Sequence, residues 1–170
     1  MAGKLIIEIL ILWIIYALYM AMLVHKRGPL GGIFFYPKVM QKRVVEIGLM
    51  TEQELKRRRT FAYILLLALM ILVPGFMILR INGARTYFSC CWQFYILFLG
   101  AEFFDWLVID TIWVALSDWW IIPGTEDLND IWHSVRVKQW KMLQLIPFAI
   151  PLSAFIGALY WGIMVFTIHG

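Results

Sequence analysis

Four stretches of this chain run for about twenty residues or more with little or no charge, the length a helix needs to cross a hydrocarbon core of roughly 30 Å. They are Leu5 to Val24, Phe61 to Leu79, a span within Phe88 to Trp120, and Leu143 to Ile168. Lipid offers the backbone no hydrogen-bond partner, so each run must satisfy its own N–H and C=O groups by forming a helix. The expected fold is all-α: a polytopic integral membrane protein with four transmembrane helices at about 5–24, 61–79, 90–116 and 143–168. Soluble domains are about half apolar; this chain is 62% hydrophobic over 170 residues, and residues 1–170 read as one membrane domain. Leu5 to Val24 is long for the apolar part of a signal peptide and ends at His25-Lys26-Arg27 without a small-residue cleavage site, so it reads as a retained span.

Basic residues set the expected orientation. Residues 25–60 hold Lys26, Arg27, Lys38, Lys42, Arg43, Lys56, Arg57, Arg58 and Arg59, and residues 117–142 add Arg136, Lys138 and Lys141. The other side receives only Lys4, Arg80 and Arg85. The positive-inside rule makes both long segments cytoplasmic and places both termini outside, in the cytoplasmic membrane. The same clusters point to anionic lipid headgroups as partners. They contain no nucleic-acid recognition motif, so nucleic acid is not an expected partner.

The cytoplasmic segments carry local structure of their own. From Pro37 the apolar residues Val39, Met40, Val44 and Ile47 recur at helical spacing until Gly48, which predicts a short interfacial helix. Thr51 and Glu54 form a capping box that starts the helix of the second span. A second interfacial helix is expected from Glu126 to about Met142, with Leu128, Ile131, Trp132 and Val135 on one face. Pro74, Pro147 and Pro151 predict kinks in the second and fourth spans. Ser153/Gly157 and Ala158/Gly162 are small pairs four apart, which suits close helix packing within the chain or in a homo-oligomer. The adjacent Cys90 and Cys91 lack C-x-x-C spacing and read as small buried hydrophobes.

The chemistry centres on acids. Glu102, Asp105 and Asp110 lie inside the third apolar run, which has no Lys or Arg. Each costs at least about 2.5–3.5 kcal/mol in hydrocarbon unless it is neutralised, paired, hydrated or bound to a cation. Aromatic belts at Tyr87, Trp92 and Tyr95 and at Trp113, Trp119 and Trp120 put the midplane near Phe104. At about 100° per residue the three acids spread over about 140° of an α-helix, which is compatible with facing a bundle interior. Glu8, in the outer part of the first span, either pairs with Lys4 at i, i+4 or joins these acids in a ladder. Such ladders suit proton or cation movement.

A second reading gathers Asp118, Glu126, Asp130 and His133, with Asp110 and Asp127 nearby, around Mg²⁺ or Mn²⁺ at the cytoplasmic surface. That would be a membrane enzyme acting on a lipid or another apolar substrate. Otherwise the sequence names no cofactor, and it holds no catalytic-triad order, phosphate loop or zinc-protease motif. The leading expectation is a small transporter or permeation subunit in which Glu102, Asp105, Asp110 and Glu8 bind ions or substrate. A non-catalytic subunit of a larger complex is the third.

Overall fold

In a computed structural model, residues 2–128, 130 and 135–169 are described, and they form helices and turns without a strand. Helix α1 spans Ala2–Val24 and is followed by a 3-10 segment, Gly28–Phe35. Helix α2 is Lys38–Glu46; α3 is Glu52–Phe76 and continues as a π-helical turn, Met77–Ile81. Helix α4, Tyr87–Phe104, passes into a π-helix over Asp105–Ala115. Short 3-10 turns at Asp118–Trp120 and Glu126–Leu128 precede α5, Val135–His169.

Among the described residues, three helical stretches are long and apolar enough to cross a membrane: Gly3–Val24, Glu52–Ile81 and Met142–Thr167. Their outward faces are apolar and exposed, with Ile14 and Leu18 on α1, Leu67 and Leu72 on α3, and Phe155 and Phe166 on α5. Water does not tolerate such a belt on a soluble surface, whereas hydrocarbon does. The chain is thus consistent with a membrane protein.

Local signals account for most helix ends. The Thr51 hydroxyl accepts the Glu54 N–H at 3.2 Å, and Glu52 and Glu54 place negative charge in the first turn of α3. Thr86 caps α4 in the same way, accepting from the Ser89 N–H at 3.2 Å. Gly48, at φ +78°, ends α2.

Two cores stack along the bundle. One joins Leu5 and Leu12 of α1 to Ile78, Cys90, Phe94, Leu97, Ala149 and Tyr160. The other joins Tyr19 and Val24 to Ile33, Tyr36, Met40, Val44, Ala62, Ile109, Trp120 and Ile122. The 28–36 segment folds back under α1, and a Cβ at Gly31 would collide with the Leu23 carbonyl. Gln41 holds that fold by donating to the carbonyls of Phe34 (3.2 Å) and Tyr36 (2.7 Å). Met40 and Val44 of α2 therefore face protein, while Val39 and Ile47 stay exposed.

Helices α4 and α5 form the most extensive pairing. Gly157 makes it possible, since a Cβ there would lie 2.8 Å from the Cys91 Cα. Ser153 and Gly157 are buried, whereas a Cβ at Gly162 meets nothing within 4 Å. Of the second expected interfacial helix, Glu126–Leu128 is a 3-10 turn and the part from Val135 onward belongs to α5. No helix breaker lies between Val135 and Leu143, so this helix begins before its apolar run. Residues 129 and 131–134 lie outside the described residues.

Candidate functional site

Two neighbours in the first span position the acids. The Trp13 indole N–H donates to the Gly100 carbonyl at 2.8 Å, and its ring stacks on Phe104 with centroids 5.2 Å apart. Ile9 fills the space a side chain at Gly100 would take. These contacts lock the middle of α1 to the stretch of α4 from which Glu102 and Asp105 project.

Glu102 is half-buried, Asp105 exposed and Asp110 half-buried, so the group lies at the side of the bundle rather than in a closed interior. Asp105 opens the π-helix. In a π-helix an N–H reaches the carbonyl five back, a wider turn that sets positions 105 and 110 nearer one face than α-helical spacing would. The Thr111 hydroxyl follows the same register, donating to the Trp106 carbonyl at 2.7 Å. An α-helical projection of the sequence does not show this register.

Glu8 is 3% exposed and has a partner other than the one expected. Its Oε2 accepts from the Asn82 Nδ2 at 3.0 Å, while Lys4 donates to the Ile81 carbonyl at 3.0 Å. Both α1 side chains thus tie to the end of the π-helical turn that follows α3 instead of to each other. Oε1 of Glu8 is buried without a hydrogen-bond partner.

The acids between residues 118 and 130 are dispersed. Asp118 is exposed at the start of its turn, and Asp130 is exposed. Glu126 folds onto its own turn, accepting from the Gly124 N–H at 3.0 and 2.9 Å. That contact holds its carboxyl below the usual range. Asp127 pairs with Arg43 at 3.2 Å, linking this turn to α2. His133 lies outside the described residues, and among the described ones no three His, Cys, Asp or Glu side chains gather as metal ligands. Comparisons with protein-family models, characterised proteins and solved structures return no match.

Proposed function

We propose that this chain is an integral membrane protein that moves protons or cations through Glu102, Asp105 and Asp110. In this reading Tyr87–Ala115 makes a fourth crossing, both termini lie outside, and residues 25–60 and 117–142 are cytoplasmic. The observation that carries it is the π-helix that begins at Asp105, directly after the turn of α4 that carries Glu102, and that also carries Asp110. π-helical turns are costly irregularities that recur at functional sites. Carboxylates this deep in an apolar helix need a paired group, a proton, a cation or water to be tolerated. Neighbouring acids that cannot all be charged together exchange those partners readily.

Asp105 is exposed on the surface of a single copy. That supports a homo-oligomer, or a partner subunit, with this face turned away from lipid. The basic cytoplasmic residues would meet anionic headgroups.

The test is ion flux in proteoliposomes. Glu102→Gln and Asp105→Asn should abolish coupling to an imposed pH gradient while the purified variants keep the helical content of the parent. Undiminished coupling in the folded double variant would end this reading.

A further inference from the structure

Carboxylates in a protein interior are paired as a rule, and Glu8 breaks the rule. It lies between Leu5 and Leu12 on the face of α1 that enters the core shared with α4 and the Met77–Ile81 turn, and it is 3% exposed. Its Oε2 accepts from the Asn82 Nδ2 at 3.0 Å, while Oε1 is buried with no hydrogen-bond partner. The nearest counter-charge in sequence, Lys4, donates to the Ile81 carbonyl at 3.0 Å instead. Arg80 and Arg85 flank Asn82 in the chain. Among the described residues, neither they nor Lys4 forms an ion pair with Glu8.

Two further features draw positive charge to this place. Asn82 caps the C-terminal end of the π-helical turn that prolongs α3. The last carbonyls of a helix lack N–H partners, and the helix dipole is negative there. The Lys4 ammonium already sits on one of those carbonyls. Gln93, between Cys90 and Leu97 on the α4 side of the same core, is 1% exposed. Its amide nitrogen is spent on the Ser89 hydroxyl at 2.8 Å, and its Oε1 is also buried without a partner. Both orphaned atoms are acceptors. A carboxylate buried there, at a helix end of its own sign, is costly unless a positive charge accompanies it.

We propose that Glu8 binds one small monovalent cation, a proton or an alkali-metal ion, at Oε1. The site is built by α1 and the end of α3. It stands apart from the α4 acids and holds whether or not those acids carry ions. Either cation neutralises the carboxylate: a proton turns Oε1 from acceptor into donor, and an alkali ion takes it as a ligand. Asn82 is a positioning residue, since its Nδ2 fixes Oε2 and leaves Oε1 to the ion. The competing account is an ionised Glu8 balanced at longer range by Lys4.

Infrared difference spectra of the purified protein in nanodiscs separate these accounts. The parent, Glu8→Gln and Lys4→Met would be compared as sodium or potassium replaces choline at fixed pH, and as pH is raised in choline. A carboxylate band that shifts with sodium or potassium and is lost in Glu8→Gln supports the site with an alkali ion. A protonated C=O band, indifferent to both ions and lost in Glu8→Gln, supports it with a proton. That band should give way to carboxylate only as pH rises. Glu8→Gln should remove the whole response, and Lys4→Met should leave it in place.

A Glu8 carboxylate that is ionised in choline at neutral pH and indifferent to sodium and potassium overturns the site. So does a response that appears only in Lys4→Met, which assigns the counter-charge to Lys4. If Glu8→Gln does not fold, Asn82→Leu identifies the band, because losing the Nδ2 donor moves the stretch of the carboxyl it bonds. A responding band that Asn82→Leu leaves unmoved belongs to another acid and overturns the site at Glu8.

Discussion

The ring of Tyr160 lies across Gly75, close enough that a Cβ at residue 75 would come within 2.9 Å of Cε1 and 3.2 Å of Cζ. Its hydroxyl reaches past the glycine to the Ile71 carbonyl at 2.6 Å, and Phe94 meets the ring edge-on at 5.9 Å. The Pro74-Gly75 step thus lets α3 and α5 come together as well as loosening the α3 backbone.

Gly75→Ala should therefore destabilise the bundle by about 1–3 kcal/mol, because the ring is held by the hydrogen bond and by Phe94 and must shift to admit a methyl group. Tyr160→Phe loses only the bond, about 0.5–1.5 kcal/mol. Gly162→Ala, where nothing lies within 4 Å, should cost far less. Denaturant unfolding in mixed micelles ranks the three. Equal effects of the two glycine substitutions would sink the close-approach argument.

The core around Tyr36 and Trp120 has a pH-sensitive bond. Tyr36 is buried, which pushes its ionisation above the ordinary tyrosine value near 10.0, and its hydroxyl donates to the Trp120 carbonyl at 2.7 Å. The folded chain keeps this proton at a pH where the unfolded chain releases it. The contribution is therefore full below about pH 10 and is lost progressively as pH rises above it. Tryptophan fluorescence reports the change, since Tyr36 and Trp120 rings are 6.3 Å apart. Tyr36→Phe should cost about 1–3 kcal/mol at neutral pH and flatten the alkaline loss. A variant as alkali-sensitive as the parent would assign that loss to another group.

The parts of this architecture that could be read from sequence are those set by near neighbours. Thr51 announces α3 because its cap bond closes within three residues, and Gly48 ends α2 through its own backbone. The long apolar runs announce themselves by length, though Val135 shows that a helix need not begin where its apolar run begins. Long-range choices were hidden. Glu8 chooses Asn82, 74 residues away, over Lys4 one turn back. The passage from α to π at Asp105 has no breaker residue to mark it, so an α-helical projection turned Asp110 away from Asp105.

The proposed orientation can be checked with single cysteines at positions 2 and 53, in a background with Cys90 and Cys91 replaced by alanine. A membrane-impermeant maleimide added outside intact cells should label residue 2 and spare residue 53 until the membrane is opened. Gln53 is exposed at the start of α3, so burial cannot mimic protection. Labelling of residue 53 from outside would invert the topology and move Lys56–Arg59 to the outer face, against the positive-inside rule.

The π register itself can be tested through Thr111. In an α-helix a threonine hydroxyl returns to the carbonyl three or four residues back. Here it reaches Trp106, five back, at 2.7 Å, and so holds the wider turn that sets positions 105 and 110 nearer one face. Thr111→Val keeps the branched shape and removes the hydroxyl, whereas Thr111→Ser keeps the hydroxyl. The valine variant should let residues 105–115 relax toward α-helical spacing, turning Asp110 about 140° from Asp105. Amide exchange across the segment should then change, and gradient-driven uptake should fall roughly tenfold, the cost of losing about 1.4 kcal/mol of positioning. The serine variant should stay close to the parent in both. If valine and serine behave alike, the Thr111 hydroxyl does not set the register. The placing of the acids would then depend on packing against α1 alone.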